Sequence, residues 1–391
     1  MKIKKLLFWM TILMGGAPSF AQSDYREYYE GPFGYELHEN IQEAWIIFSE
    51  DLEELDIPSE IIVDDEKYTV TTLDQGALKG NNLKILKVPS SINNFNIYSC
   101  TGSFMLEELY IENIESWCNT YFSYAILDEH HGGFEWTEYH YFDSNPACYK
   151  TVFYVDGQPI EGDFVIPEGV TKINGCAFIS LNYKKVKLPD SLKEIKDWAF
   201  WASDMEEIDF GNNVKTIGRV AFQSCYNLKN ITFPESLKYI ESDALNYCIS
   251  LETVTYPATI TRCNLSYDGC SNLKSIYLPS VTTLGNLTGG IMPPSDDDPT
   301  TYYVDLDKNV AENCTLYVPE ESVELYKADR YWGQFKNIVG MIFDDPAGIT
   351  DLQTPSDIND GIIYNLNGQR VNPDNIKPGF YIRNGKKFVV R

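Results

Sequence analysis

Histidine is scarce in this chain, with 4 in 391 residues, and basic side chains are outnumbered, 31 Lys and Arg against 57 Asp and Glu. No Gly-x-Ser-x-Gly, no His-Glu-x-x-His and no phosphate-cradling glycine loop ending in lysine occurs. His38 stands alone, and His130, His131 and His140 share one short stretch. Carboxylates are so numerous that no pair singles itself out as acid and base. These absences argue against catalysis, and no cofactor is expected. The acid excess, a net charge of −26, repels phosphate backbones and excludes nucleic acid as a partner. No apolar run reaches the ~20 residues of a membrane span, so no transmembrane segment is expected in the mature chain.

The N-terminus reads MKIKKLLFWMTILMGGAPSFAQ: lysines, a short apolar run, then small residues at Ser19 and Ala21. That is the layout of a secretory signal over residues 1–21. Its removal takes Lys2, Lys4 and Lys5 and leaves 28 basic against 57 acidic residues, a net charge of −29. The expected location is therefore outside the cell, at the surface and associated with the outer membrane.

What is present is repetition. Pro167, Pro189, Gly211, Pro234, Pro257 and Pro279 are spaced 22, 22, 23, 23 and 22 residues apart. Three residues after them come Val170, Leu192, Val214, Leu237 and Ile260; three further on come Ile173, Ile195, Ile217, Ile240 and Cys263. An Ala-aromatic or Ala-aliphatic pair follows, as in Ala199-Phe200 and Ala244-Leu245, and each unit closes on an alternating strand such as Val186-Lys187-Leu188. Each unit is one turn of a solenoid. A single coil buries about six large apolar side chains at ~2 kcal/mol each. Ordering its backbone costs ~1–2 kcal/mol per residue, so a coil folds only against its neighbours.

Nine cysteines leave at least one unpaired. Cys225, Cys248 and Cys270 share a column of the repeat, and Cys263 stands in the isoleucine column. They are expected as small core residues, with a bridge between stacked coils left open. Cys100, Cys118, Cys148 and Cys314 fall in irregular segments, and their pairing is open.

The pattern Φ-x-Φ-P-x-x-Φ-x-x-I-x-x-x-A-F-x-x-C-x-x-L resembles the BspA-like leucine-rich repeat proteins of bacterial surfaces, over roughly residues 50–343. Ile114-Glu-Ser-Trp117-Cys118, Val165-Ile-Pro167-Glu-Gly169-Val170 and Thr315-Leu-Tyr-Val-Pro319 look like the same family. The resemblance implies a mainly β, right-handed leucine-rich-repeat solenoid of 22–23-residue coils with short parallel strands. It further implies an exported surface protein that binds macromolecules, adhesion among the roles, with no shared catalytic residues.

The expected organisation is a solenoid over residues 22–343 with a C-terminal cap at 320–340, a linker at 344–361 and a small β segment at 362–391. Asn-Gly turns at 367–368 and 384–385 mark hairpins in that last segment. Its basic character, with Arg370, Lys377, Arg383, Lys386 and Lys387, and its layout resemble a shortened sorting tail of the type IX export system.

Two insertions interrupt the array. The first, about residues 119–143, is rich in Tyr and Phe and alternates through Phe134, Trp136 and Tyr139, as a projecting hairpin would. Tyr121, Phe134, Trp136, Tyr139 and Tyr141 are its candidate contacts. His130, His131 and His140 are weak metal candidates, since their spacing fits no standard zinc pattern. The second, about residues 287–313, begins a calcium-like Asp305-x-Asp307-x-Asn309, but Val310 stands where the loop needs glycine and Leu316 where it needs glutamate. It reads as a solvated acidic loop.

Outward strand positions Lys187, Asp209, Thr232, Thr255, Tyr277 and Tyr317 form the candidate ligand-facing stripe. The expected partner is an extracellular protein. A glycan held by the aromatic hairpin, and a scaffold without a ligand, are the alternatives. The sequence leaves the oligomeric state open.

Overall fold

The structure, a computed structural model, describes residues 25–78, 80, 82–100, 105–123, 144–147, 150–263, 267–279 and 306–343. In the C-terminal segment it describes 350–352, 363–365, 370–372, 376, 379–383 and 386–390.

Each coil has three sides. On the proline side, the Φ-x-Φ segments pair in parallel with the next coil. Leu55, Leu86, Leu109 and Phe153 align in register, as do Phe164, Val186 and Ile208. Ile231, Val254, Ile276, Leu316 and Ile338 continue the series. On the isoleucine side, Ile173, Ile195, Ile217, Ile240 and Cys263 are cross-strand partners. Residues two dozen apart in sequence thus touch, and all five are buried in one continuous core. The alternation of the strands produces this, because every second side chain faces inward.

The third side holds the Ala-aromatic pair and is built by turns. The N–H groups of Phe178, Phe200 and Phe222 donate to the carbonyls of Ala199, Ala221 and Ala244 one coil on, at 2.8, 2.9 and 3.0 Å. Their rings stack along the axis with centroids 5.5 Å apart at both steps. This geometry needs left-handed backbone at Trp198 (φ 63°), Val220 (φ 62°), Ser224 (φ 61°) and Tyr247 (φ 58°). A non-glycine residue there costs about 1–3 kcal/mol. The coil-to-coil hydrogen bonds of Trp198, Val220, Ser224 and Tyr247 themselves hold it in place.

The cysteine column completes this side. Cys225, Cys248 and Cys270 donate their S–H groups to the carbonyls of Phe200, Phe222 and Leu245 at 3.3, 3.3 and 3.1 Å. Ser203, one coil earlier, donates its hydroxyl to Phe178 at 3.0 Å. Cys225, Cys248 and Cys270 are buried and form no disulfide, so no bridge joins the stacked coils there.

One column of the repeat behaves differently from the spacing. Gly211 occupies a proline position, yet its φ is +61° and a Cβ there would lie 2.9 Å from the carbonyl oxygens of Leu188 and Pro189. Proline cannot adopt that angle. The proline-side sheet ends at this coil, and a new one begins at Asn230.

Both ends are closed by non-repeating structure. Before the first coil, β1 (Tyr25–Glu30), β2 (Phe33–His38) and β3 (Glu43–Ser49) form an antiparallel meander. β3 then pairs in parallel with Glu66–Leu73, extending the isoleucine side past the first coil. α1 (Ile114–Asn119) leads into the first insertion, and the strand Tyr121–Phe122 at its start belongs to the array itself, pairing with Asn94–Phe95. Residues 124–143 lie outside the described residues. Trp117 Nε1 and Asn145 Nδ2 donate to the Ala177 carbonyl at 2.8 and 3.2 Å, occupying a turn-side acceptor where the insertion interrupts the coils.

At the other end come α2 (Lys308–Asn313), the strand Thr315–Pro319, α3 (Val323–Ala328) and the strand Asn337–Met341. Tyr326, Trp332 and Phe335 seal the core. The stretch expected as a linker, 344–361, contains a strand: Thr350–Leu352 pairs in parallel with Lys386–Val390. Three residues carry no readable periodicity, and parallel pairing leaves no turn signal to mark it. With Ile363–Asn365, Arg370–Val371 and Gly379–Arg383 they make a five-stranded sheet.

Replacing Gly211 by proline restores the residue that the other coils carry, yet destabilisation by about 3 kcal/mol is expected. Urea unfolding followed by circular dichroism checks it, and unchanged stability would contradict the left-handed assignment.

Candidate binding surface

The proline side faces solvent with the residue that follows each inward Φ. Cross-strand pairing places Lys187 beside Asp209, and Thr232, Thr255, Tyr277 and Tyr317 in one file. The six expected positions therefore share a column, split by the sheet break after Asp209. Asp209 and Thr232 are exposed, and Lys187 and Tyr317 half-buried. Thr255 and Tyr277, expected to face outward, are covered, at 9% and 5% exposure. Alternation decides on which side of a strand a residue leaves, but not what lies over it. Tyr277 stacks on Tyr317 with centroids 4.7 Å apart and planes 8° apart, and burial pushes its hydroxyl up to about 12.

The column continues toward the N-terminus through Asp56, Lys87, Tyr110 and Tyr154. Tyr110 and Tyr154 stack at 4.3 Å, and Lys87 Nζ lies 5.8 Å over the Tyr110 ring. The Tyr110 hydroxyl donates to Glu108 Oε2 at 2.7 Å, and that bond, with burial, raises it to about 12. In both tyrosine pairs the rings stand face to face along the axis. The faces in contact are closed to a flat ligand.

A second feature escapes a reading of apolar columns alone. Just before the inward strands, Lys184, Glu206, Lys229, Glu252 and Lys274 alternate in charge over five coils. Glu206 lies 3.8 Å from Lys184 and 3.0 Å from Lys229, and Lys274 lies 2.9 Å from Glu252. The Lys229 ammonium holds the Glu206 carboxyl below the usual carboxylate range. The same alternation appears at Glu53 and Lys84, 3.0 Å apart. Exposed pairs of this kind contribute little each, but a one-coil slip would set like charges side by side. The signal was present in the sequence at 22- and 23-residue steps.

The other expected candidates divide simply. Tyr121 is exposed on its strand. Phe134, Trp136, Tyr139 and Tyr141, with His130, His131 and His140, lie outside the described residues. Asp307 is a helix cap: its Oδ1 accepts the Val310 N–H at 3.0 Å and starts α2. Among the described residues no group of three or more His, Cys, Asp or Glu side chains is placed to hold a metal ion. Burial pushes the thiols of Cys176, Cys225, Cys270 and Cys314 up to about 12, which keeps them protonated donors. No helix among the described residues is long and apolar enough to cross a membrane.

Two outcomes follow. A thiol whose folded pKa is raised binds its proton more tightly in the folded than in the unfolded chain. Its stabilising effect is complete below pH ~9 and is lost as pH rises toward ~12. Urea unfolding between those limits should show falling stability, smaller in Cys225→Ser, and native thiols should resist a thiol reagent that labels them after denaturation. Lys229→Glu should lower the melting temperature and raised salt should restore part of it; a salt-independent change would remove the charge column from the account.

Comparison with known proteins agrees with the repeat. Residues 53–128 and 157–274 match the model of the BspA type leucine rich repeat region in six copies. No curated protein sequence matches the chain. Among solved structures, a leucine rich cell surface protein from Faecalibacterium prausnitzii A2-165 is 14% identical, over 64% of this chain and 94% of that one, with a TM-score of 0.30. A leucine-rich repeat protein from Bacteroides ovatus ATCC 8483 is 17% identical over 86% and 85%, with a TM-score of 0.34. The leucine rich repeat protein of T. pallidum is 17% identical over 65% and 85%, with a TM-score of 0.24. Sequence, coil and family model agree column by column: the chain is a BspA-type leucine-rich repeat protein.

Proposed function

We propose that the exported chain is a non-catalytic binding solenoid of the bacterial surface, and that its proline side recognises an extracellular protein in an adhesive contact. Parallel register sets outward side chains in files at the strand spacing of ~4.8 Å. Such a surface suits an extended partner that touches several coils at once. Lys187, Asp209 and Thr232 are its accessible polar positions. The signal-like N-terminus supports a location outside the cell.

The observation that favours protein over sugar is the stacking of Tyr110 on Tyr154 and of Tyr277 on Tyr317. A sugar ring lies on a free aromatic face, and these tyrosines turn faces to one another. The faces in contact are not available to it.

An array of matrix proteins and glycans, probed with the exported chain, with Asp209→Lys/Thr232→Glu and with a variant lacking residues 124–143, tests the proposal. A bound protein that tolerates the deletion and is lost by at least about tenfold in the double variant is expected. Sugar binding that disappears with the deletion would replace it with a glycan-binding accessory role. Silence on both would leave a scaffold.

A further inference from the structure

The N-terminal meander carries a second outer surface, on the isoleucine side and separate from the stripe. Its inward residues Tyr35, Leu37, Ala44 and Ile46 belong to the core. Its outward residues form cross-strand rows. Tyr29, Gly34 and Phe48 make the first row, and Glu27, Glu36 and Trp45 the second; Tyr25, His38 and Glu43 make the third. A Cβ on Gly34 would come within 2.7 Å of Tyr29 Cε1, so the Tyr29 ring occupies the space over the glycine. Tyr29 is 62% exposed and Phe48 48%.

The carboxylates in these rows have only neutral or weakly basic company. The Tyr29 hydroxyl donates to Glu27 at 3.2 Å, and Trp45 Nε1 and Thr71 Oγ1 donate to Glu43 at 3.2 and 2.8 Å. His38 packs on Trp45 at 4.0 Å, with its Nε2 3.1 Å from Glu36 Oε1. Burial holds the Glu36 carboxyl above its ordinary range; Asp74 and Glu27 add to this, and His38 opposes it. No lysine or arginine stands in the three rows. Arg26, on the other face of β1, is engaged by Asp64 at 2.9 Å and Glu39 at 3.8 Å. β1 itself is the last strand of its sheet among the described residues, so its outer edge presents unpaired backbone groups.

We infer that β1 and this face bind an extended basic segment of a protein partner. The segment adds as a strand to the edge of β1, so that alternate side chains fall on the outward face. Lysines or arginines there meet Glu27 and the exposed Tyr29 ring, combining an ion pair with a cation–π contact. A neutral sugar would leave these carboxylates uncompensated and the edge unpaired. A second copy would bring one acidic edge against another.

Fluorescence anisotropy with a labelled short peptide of alternating lysine and threonine tests this on the exported chain. Binding that weakens with salt is expected. The same peptide with glutamate for lysine, or with alternate backbone amides methylated, should not bind. Glu27→Gln combined with Tyr29→Ala should weaken binding by about tenfold or more with the circular dichroism spectrum unchanged. Asp209→Lys should leave it intact, which separates this surface from the stripe. Equal binding of the acidic peptide, no binding of the basic one, or an unaffected double variant would overturn the inference. So would a dimer, seen by sedimentation, that the double variant abolishes, since it would assign the edge to a second copy.

Discussion

Everything in this molecule depends on register between coils. A coil of 22 or 23 residues has no core of its own, so Ile195 is buried only because Ile217 and Ile173 stand on either side of it. Backbone hydrogen bonds on all three sides fix that register. A slip of one residue would turn the inward row of a strand outward. The apolar columns, the carbonyl-bound thiols and the alternating charges are different side-chain chemistries serving the same alignment. Each uses the fact that equivalent positions of adjacent coils are neighbours.

The turn side shows how far that alignment can push the chain. Trp198, Val220 and Tyr247 sit in a backbone region that such side chains avoid when isolated. They stay there because their own N–H groups complete the coil-to-coil bonds and because the stacked Phe178, Phe200 and Phe222 lie beneath. The buried thiols fit the same logic. A cysteine is small enough to pack and polar enough to reach a carbonyl, and burial that raises its pKa also keeps it from reacting. The buried thiols of Cys225, Cys248 and Cys270 are then structural residues.

Function, in such an architecture, is a property of surfaces. The proline side offers files of side chains, some of them tied up in tyrosine stacks. The N-terminal meander offers an acidic, aromatic face with a free strand edge. Both are built from residues that the repeat leaves unconstrained, since only the inward columns must recur.

The sequence by itself determined the coil length, the inward columns and the parallel stacking, because burial repeats with the chain and leaves a periodic trace in Val, Ile and Leu positions. It also held the charge column at 184, 206, 229, 252 and 274, which becomes legible once the columns are aligned. Tertiary structure alone decided the rest. It made Gly211 a left-handed residue instead of a missing proline, because the approach of the Leu188 and Pro189 carbonyls is invisible along the chain. It covered Thr255 and Tyr277 while leaving Thr232 exposed, because exposure depends on what packs over a strand, not on alternation. It also folded residues 25–49 into a meander whose outer rows join Glu27, Glu36 and Trp45. Those residues come from three strands with no repeat among them, so only their pairing could bring them together.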